Sequence, residues 1–192
     1  MLPAYKISPK ITGYHGTALE NAESIKSQNF KETVNHTKWY GDGVYFFIDG
    51  VGVEPPMESA YQFCLDQRSG LQSPEREKVC VIEAVIKVNQ QKLLDLTLPS
   101  GNQLFNAFKK NVMDSFALSG KRPNKEVNDY HIFQDMRKTL GIEFVKGNVY
   151  IQFGLQRDLN LTSKVPNVTI FVVNKPLINI NKPSLKVVKG GK

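Results

Sequence analysis

The sequence is poor in cysteine and histidine. Cys64 and Cys80 are the only cysteines, and the three histidines stand far apart at positions 15, 36 and 131. Two cysteines cannot form a disulfide framework, and neither residue type shows the spacing of zinc ligands. We therefore expect two buried free thiols and no metal site.

Long apolar runs are also missing. No stretch approaches the ~20 apolar residues of a membrane helix, and the first six residues, MLPAYK, lack the apolar run of a signal peptide. The balance of 41% hydrophobic and 22% charged residues in a chain of 192 fits one globular domain. We expect a single cytoplasmic domain over 1–192 that contacts no membrane.

Acidic residues are absent from the last part of the chain. Asp158 is the last of them, and six lysines follow it at positions 164, 175, 182, 186, 189 and 192. The formal net charge is +7 and these lysines supply six of it, so the body of the protein is nearly neutral. The basic C-terminal segment, 176–192, fits either a solvated end or a surface for a polyanion.

The order of apolar patterns predicts an α+β fold. Periodicity indicates helices over about 19–28, 58–67, 102–118 and 124–140, and the apolar stripe of the third helix (Leu104, Phe105, Phe108, Val112, Phe116) is expected in the core. Strands are expected over about 10–14, 44–48, 79–88, 143–153 and 168–173. The run 79–88 is rich in β-branched residues and should be central, whereas the chain from Pro176 onward reads as irregular or as an edge.

Three short strings carry the chemical information. They are Tyr14-His15-Gly16-Thr17 at the end of a strand, GDGVYFF over 41–47, and SAYQFC over 59–64 on the helix that follows. Each has an ordinary explanation by itself, because His15 can be a hydrogen-bonded residue at a strand end and Tyr45 a core aromatic. A dinucleotide-binding fingerprint is disfavoured, since Gly-x-Gly here precedes a strand instead of opening a helix.

Taken together, in this order and at this spacing, the strings resemble the ADP-ribosyltransferase superfamily of the poly(ADP-ribose) polymerase and diphtheria-toxin type. The likeness covers residues 10–64 and includes the end of the first helix, from Ile25 to Asn29 and Phe30. It implies a split mixed β-sheet with peripheral helices, NAD⁺ as co-substrate and no metal. A small transferase of this kind looks like a bacterial toxin.

The resemblance also implies a role for each matched residue. Gly16 would bind the nicotinamide carboxamide through its backbone, Tyr45 would stack on the ring, and His15 would bond a ribose hydroxyl. Thr17 or Ser59 would assist, and either Tyr61 or Phe63 would form the second ring wall. Tyr14 and Gly43 complete the set of matched cofactor-binding positions.

The family carries a glutamate near the start of a late strand, where it stabilises the transition state. By element order this position falls within 166–170, which contains no acid. Asn167 is the first candidate and Thr169 the second, followed by Gln152 and Glu143. The missing acid argues against polymer synthesis and favours transfer of a single ADP-ribose unit.

We therefore expect an NAD-dependent mono-ADP-ribosyltransferase of a toxin–antitoxin or phage-defence system, with a possible antitoxin partner protein. The lysine-rich end favours a nucleic-acid acceptor, RNA or DNA, over a protein acceptor. The alternatives are a catalytically silent module that binds NAD or ADP-ribose, and an RNA 2′-phosphotransferase. The latter is disfavoured because no arginine cluster stands near His15 in the sequence.

Overall fold

A computed structural model describes residues 9–32, 39–67, 78–120 and 127–190. Within these ranges the chain forms seven strands and six helices, which confirms the α+β class. The strands are β1 (Lys10–Ala18), β2 (Val44–Ile48), β3 (Val79–Lys87), β4 (Leu93–Asp95), β5 (Phe144–Val149), β6 (Val168–Val173) and β7 (Lys186–Gly190). The helices are α1 (Leu19–Gln28), α2 (Pro56–Gln67), α3 (Pro99–Ser119), α4 (Asp129–Leu140), α5 (Gly154–Asp158) and α6 (Pro176–Asn179).

The seven strands form one mixed sheet in the order β4-β5-β6-β2-β1-β3-β7. Only β4 and β5 run parallel in this described sheet, and the other neighbours are antiparallel. The short strand β2 lies at the centre, so the prediction that residues 79–88 form the central strand is wrong. β3 is nevertheless paired on both sides and its residues 79–82 are fully buried, which explains why its composition resembles that of a central strand.

The ladder between β1 and β2 is short. β1 pairs with β3 along its whole length, and β2 pairs with β6 in the same way. Between the described strands β1 and β2, by contrast, the register is confined to Tyr14 opposite Phe47. We call the junction of β1 and β2 on the side of Gly16 and Tyr45 the seam.

Side chains alternate across the sheet, so the two faces support two separate cores. One core includes Phe46 and packs with Ala22 of α1 and with Phe30. The other includes Phe47 and packs with Ala60 of α2 and with helix α4. Because Tyr14 lies opposite Phe47, His15 shares the first face with Phe46, whereas Gly16 and Tyr45 share the second face.

Several element bounds differ from the prediction. α1, β2 and β6 have the expected bounds, but β1 continues to Ala18 because β3 pairs with it up to that residue. α2 begins at Pro56, since proline is tolerated in the first turn of a helix. β5 ends at Val149, which leaves Gln152 outside the strand, and the short strand β4 was not predicted.

The apolar stripe of α3 is less buried than expected. Phe105, Phe108 and Val112 are half-buried against the second core, whereas Leu104 is 44% exposed. The stripe is therefore only partly a core element. α4 begins at Asp129, later than the predicted residue 124, and residues 121–126 lie outside the described ranges.

The chain beyond Pro176 is ordered into α6, a 3₁₀ turn at Lys182–Ser184 and the edge strand β7. β7 pairs with β3, with a register shift between Val81 and Ile82. The prediction of an edge segment is confirmed for this part of the chain. Lys186 and Lys189 of this segment are thereby part of the sheet.

Candidate functional site

His15 joins the two strands at the seam. Its Nδ1 lies 2.8 Å from the carbonyl oxygen of Tyr45. A carbonyl can only accept a hydrogen bond, so this geometry assigns the proton of a neutral ring to Nδ1 and makes Nε2 the acceptor nitrogen. The ring packs edge-on against Phe30, with centroids 5.1 Å apart, and lies 5.8 Å from Phe46. The imidazole is thus held in one orientation where the backbone ladder has ended.

Gly16 follows His15 and lets α2 approach the sheet. A Cβ atom at this position would lie 2.1 Å from the carbonyl oxygen of Ala60 and 2.8 Å from Cβ of Cys64. No side chain fits such a space. The backbone of Gly16 is therefore in direct contact with the helix that carries the third sequence string.

Tyr45 uses its hydroxyl within the fold. The hydroxyl donates to the carbonyl of Gly41 at 2.7 Å and accepts from the backbone N–H of Tyr40 at 3.0 Å. Burial raises the pKa of Tyr45 well above its ordinary value. The phenol consequently stays neutral, and its ring is the part that could serve a ligand.

The structure separates the two candidates for a second ring wall. The ring of Phe63 lies 6.3 Å from that of Trp39, which in turn lies 6.4 Å from the ring of Tyr45. Tyr61 points elsewhere on α2, where Lys189 lies 4.5 Å from its ring centroid. Phe63 therefore belongs to the aromatic group beside Tyr45, and Tyr61 does not.

Two cavities meet beside Ser59 at the start of α2. Their volumes are about 330 Å³ and 560 Å³, and both are lined by Ser59, Glu54 and Val168. Thr169 lines the first and Asn167 the second. Phe47, whose ring lies 5.7 Å from Phe63, also lines the first cavity and connects it to the aromatic group. We call these two cavities the α2 cleft.

The first two candidates for the missing acid are hydrogen-bonded to the protein. Thr169 is 2% exposed, donates to Oδ1 of Asn148 at 2.8 Å and accepts from the backbone N–H of Val51 at 3.1 Å. Asn167 forms two hydrogen bonds with the backbone of Ile151: it accepts from the N–H at 2.9 Å and donates to the carbonyl at 2.8 Å. Both side chains help to fix the loops around β6.

The other two candidates are also bonded to neighbouring groups. Gln152 donates to the carbonyls of Gln156 and Leu161. Glu143 accepts from Lys92 and Lys175, each at 2.8 Å. Burial raises the pKa of Glu143, but the hydrogen bonds from these lysines and from Asn179 outweigh it and hold the pKa at about 2.

The remaining matched residues lie on or near the seam. Thr17 is buried opposite Cys80, and Gly43 has φ of +132°, with space for no Cβ because the Val173 carbonyl would lie 2.8 Å from it. Tyr14 lies opposite Glu83, and its pKa is raised by burial and by that carboxylate. The structure thus gathers the first two strings around β1 and β2.

Sequence reasoning missed two residues of this region. Trp39 joins the aromatic group, and its position two residues before Gly41 is the signal that could have indicated it. Glu54 lines both cavities of the α2 cleft. It follows a loop whose path the sequence does not reveal.

The C-terminal lysines are partly neutralised. Lys186 pairs with Glu83 at 2.9 Å, and Lys189 pairs with Glu58 of α2. Lys164 and Lys182 form no ion pair within the described ranges. The positive charge available to a polyanion is therefore smaller than the lysine count suggests.

Both cysteines are buried, as expected. Among the described residues, no cluster of three or more histidine, cysteine or acidic side chains could hold a metal ion. No helix in the same ranges has the length and apolarity to cross a membrane.

No protein-family model matches the chain, and no curated protein is similar to it in sequence.

Proposed function

We propose that the protein is an NAD-dependent mono-ADP-ribosyltransferase with the split-sheet fold of that superfamily. The observation that carries the proposal is the contact between His15 Nδ1 and the Tyr45 carbonyl at 2.8 Å, made where the β1–β2 ladder stops. It links the two most informative sequence strings at one point. The short ladder is what a split sheet requires.

The donor pocket of this proposal extends from the seam to the α2 cleft. Gly16 offers backbone groups to the carboxamide of nicotinamide, while Tyr45 and Phe63 supply aromatic surface. His15, with Nε2 as its acceptor, suits a ribose hydroxyl. Ser59 lies next to Ala60, the residue that packs on Gly16, and also lines both cavities of the cleft.

Catalysis in such a pocket consists mainly of positioning and of stabilising positive charge as nicotinamide departs. The bond between nicotinamide and C1″ of the ribose breaks, nicotinamide leaves as a neutral molecule, and the nucleophile of the acceptor bonds to C1″ and loses its proton to water. Glu54 is a carboxylate at the cleft that could face this charge. Comparing Glu54→Gln with Asn167→Ala tests which of the two residues takes the role.

A second candidate function is a silent module that binds NAD or ADP-ribose. It is favoured by one observation: Asn167, Thr169, Gln152 and Glu143 all make hydrogen bonds within the protein. A module of this kind would bind NAD⁺ and release no nicotinamide. An RNA 2′-phosphotransferase would instead consume NAD⁺ only when RNA with a 2′-phosphate is supplied.

The test is nicotinamide release from NAD⁺ by the purified protein, measured by chromatography. Release that falls at least about tenfold in Tyr45→Ala and persists in Tyr150→Ala, which removes a tyrosine whose hydroxyl donates to the Leu161 carbonyl, supports the proposal. Binding of NAD⁺ without release of nicotinamide would indicate the silent module. If the protein neither binds NAD⁺ nor releases nicotinamide, the donor pocket is wrong. Mass spectrometry of RNA, DNA and protein after brief expression then identifies the acceptor.

The biological role that we propose is a toxin of a toxin–antitoxin or phage-defence system that modifies nucleic acid. Its support is the basic C-terminal segment, in which Lys182 forms no described ion pair and is exposed. Growth arrest on expression, lost with Tyr45→Ala, is the expected phenotype. If ADP-ribose is found on protein and not on nucleic acid, the acceptor is a protein.

A further inference from the structure

A second polar site lies between α4 and the end of β6. Two cavities of about 600 Å³ and 280 Å³ share Arg137, Lys138 and Asn174 in their walls. Nε and Nη2 of Arg137 and Oδ1 of Asn174 are buried and have no hydrogen-bond partner in the described part of the chain. Buried polar atoms are normally paired, so two donors and one acceptor in the same walls require an explanation.

The orientation of both side chains is fixed by their remaining bonds. Nη1 of Arg137 donates to Oε1 of Gln134 at 3.3 Å, and the Nε–Nη2 edge is the part left without a partner. The amide nitrogen of Asn174 donates to Glu32, so its oxygen must face away from that carboxylate. The Nε–Nη2 edge of Arg137 is therefore the donor of this site, and Oδ1 of Asn174 is its acceptor.

The smaller cavity carries surplus positive charge. It is lined by four cations and two carboxylates: Lys92, Arg137, Lys138, Lys175, Glu32 and Glu143. Glu143 is bonded to two of those lysines, and with Glu32 it leaves a formal surplus of two positive charges among the lining residues. Burial lowers the pKa of Arg137, and the carboxylates of Glu32 and Asp42 oppose this effect only in part.

We propose that Arg137 and Asn174 form a binding site for a phosphate group that has a hydroxyl beside it, as in a sugar phosphate. The Nε–Nη2 edge of a guanidinium binds two oxygens of one oxyanion, and a phosphate dianion matches the surplus charge better than a carboxylate. Asn174 Oδ1 accepts from the neighbouring hydroxyl. The inference is independent of the proposed NAD chemistry.

The first test is binding of inorganic phosphate to the full chain, measured by calorimetry against chloride at equal ionic strength. Phosphate should bind at least about tenfold more weakly to Arg137→Lys, which keeps the charge and loses the paired donors. Arg157→Gln, a change on α5, is the matched control and should bind as the wild type does. Absence of phosphate binding, or unchanged binding by Arg137→Lys, would overturn the inference.

A second measurement separates a ligand site from a structural arginine. Without phosphate, Arg137→Met should unfold at a temperature no lower than the wild type, because it removes two buried donors that have no partner. A large fall in that temperature would mark the guanidinium as structural and contradict the site. If Arg137→Met does not fold, Asn174→Leu is measured in its place. Because this change removes the acceptor for the hydroxyl, it should weaken the binding of ribose 5-phosphate and leave the binding of inorganic phosphate as in the wild type.

The source of the phosphate is assigned by comparing ADP-ribose with a short single-stranded RNA. The ligand whose affinity falls with Arg137→Lys and is unchanged by Arg157→Gln is the one that occupies the site. If neither affinity depends on Arg137, the sugar-phosphate inference fails. Phosphate binding without nicotinamide release would retain this site and remove the proposed function, and the reverse result would remove only this site.

Discussion

The seam and the chain from Glu143 to Gly190 use their polar groups differently. At the seam, a histidine ring contacts the strand where backbone pairing has ended. From Glu143 onward, the residues predicted to be functional are largely hydrogen-bonded within the fold. Asn167, for example, forms two hydrogen bonds with the backbone of Ile151. The comparison shows that a polar residue at the expected sequence position can serve a ligand only where the fold does not already use its hydrogen-bonding groups.

The largest expected effect comes from a substitution that disrupts the packing at the seam. Gly16→Ala should lower the free energy of unfolding by about 3 kcal/mol, because the added methyl group overlaps the Ala60 carbonyl and α2 must move. Denaturant unfolding measures this change. Gly154→Ala is the matched control, since its methyl group would meet only the flexible end of Gln62, and a similar loss there would contradict the assignment.

The bounds of α1, β2 and β6 could be predicted because local patterns and glycine turns determine them. Sheet order could not, since the burial of β3 reflects its two neighbours and not a central place. The same limit applies to the site. The spacing of the strings indicated His15 and Tyr45, but only tertiary packing separates Phe63 from Tyr61 and shows that Thr169 is bonded on both sides.

The next prediction sharpens the role of Tyr45. Tyr45→Ala should weaken NAD⁺ binding by roughly 1 to 3 kcal/mol, because the stacking surface is lost. Tyr45→Phe keeps that surface and should bind NAD⁺ normally, while it loses about 1 kcal/mol of stability with the hydrogen bonds to Gly41 and Tyr40. Calorimetry and unfolding separate the two effects. Equal NAD⁺ binding by folded Tyr45→Ala would exclude Tyr45 from the pocket.

Glu143 tests the other side of the comparison. Its pKa in the folded protein is about 2, below the ordinary value of 4.5, so its contribution to stability is present above pH 4.5 and is lost as the pH falls towards 2. Glu143→Gln should lose about 1 to 2 kcal/mol near neutral pH and show a flatter acid limb. Glu23→Gln, which removes an exposed pair with Lys26, should keep the wild-type limb. An unchanged acid limb in Glu143→Gln would show that the residue does not stabilise the fold.

The smallest expected effect concerns the lysines that form no described ion pair. Lys164→Gln combined with Lys182→Gln should reduce acceptor modification severalfold and lower its salt dependence by about two counterions, while NAD⁺ glycohydrolysis stays the same. Lys189→Gln should instead act on stability, through the lost pair with Glu58. The control is Lys26→Gln with Lys110→Gln, on helix surfaces. Equal responses of both activities to salt would assign these lysines a solubilising role only.

The most direct test of the donor pocket at the seam is NAD⁺ affinity, measured by calorimetry for wild type, His15→Ala and Glu23→Ala. Glu23 is an exposed residue on α1 that pairs with Lys26, and it lines neither the α2 cleft nor the cavities beside Arg137, which makes it the control. We predict that NAD⁺ binds about tenfold more weakly to His15→Ala, because a ribose hydroxyl loses its partner in the pocket, and normally to Glu23→Ala. Equal affinity of folded His15→Ala and wild type would contradict a donor pocket at the seam.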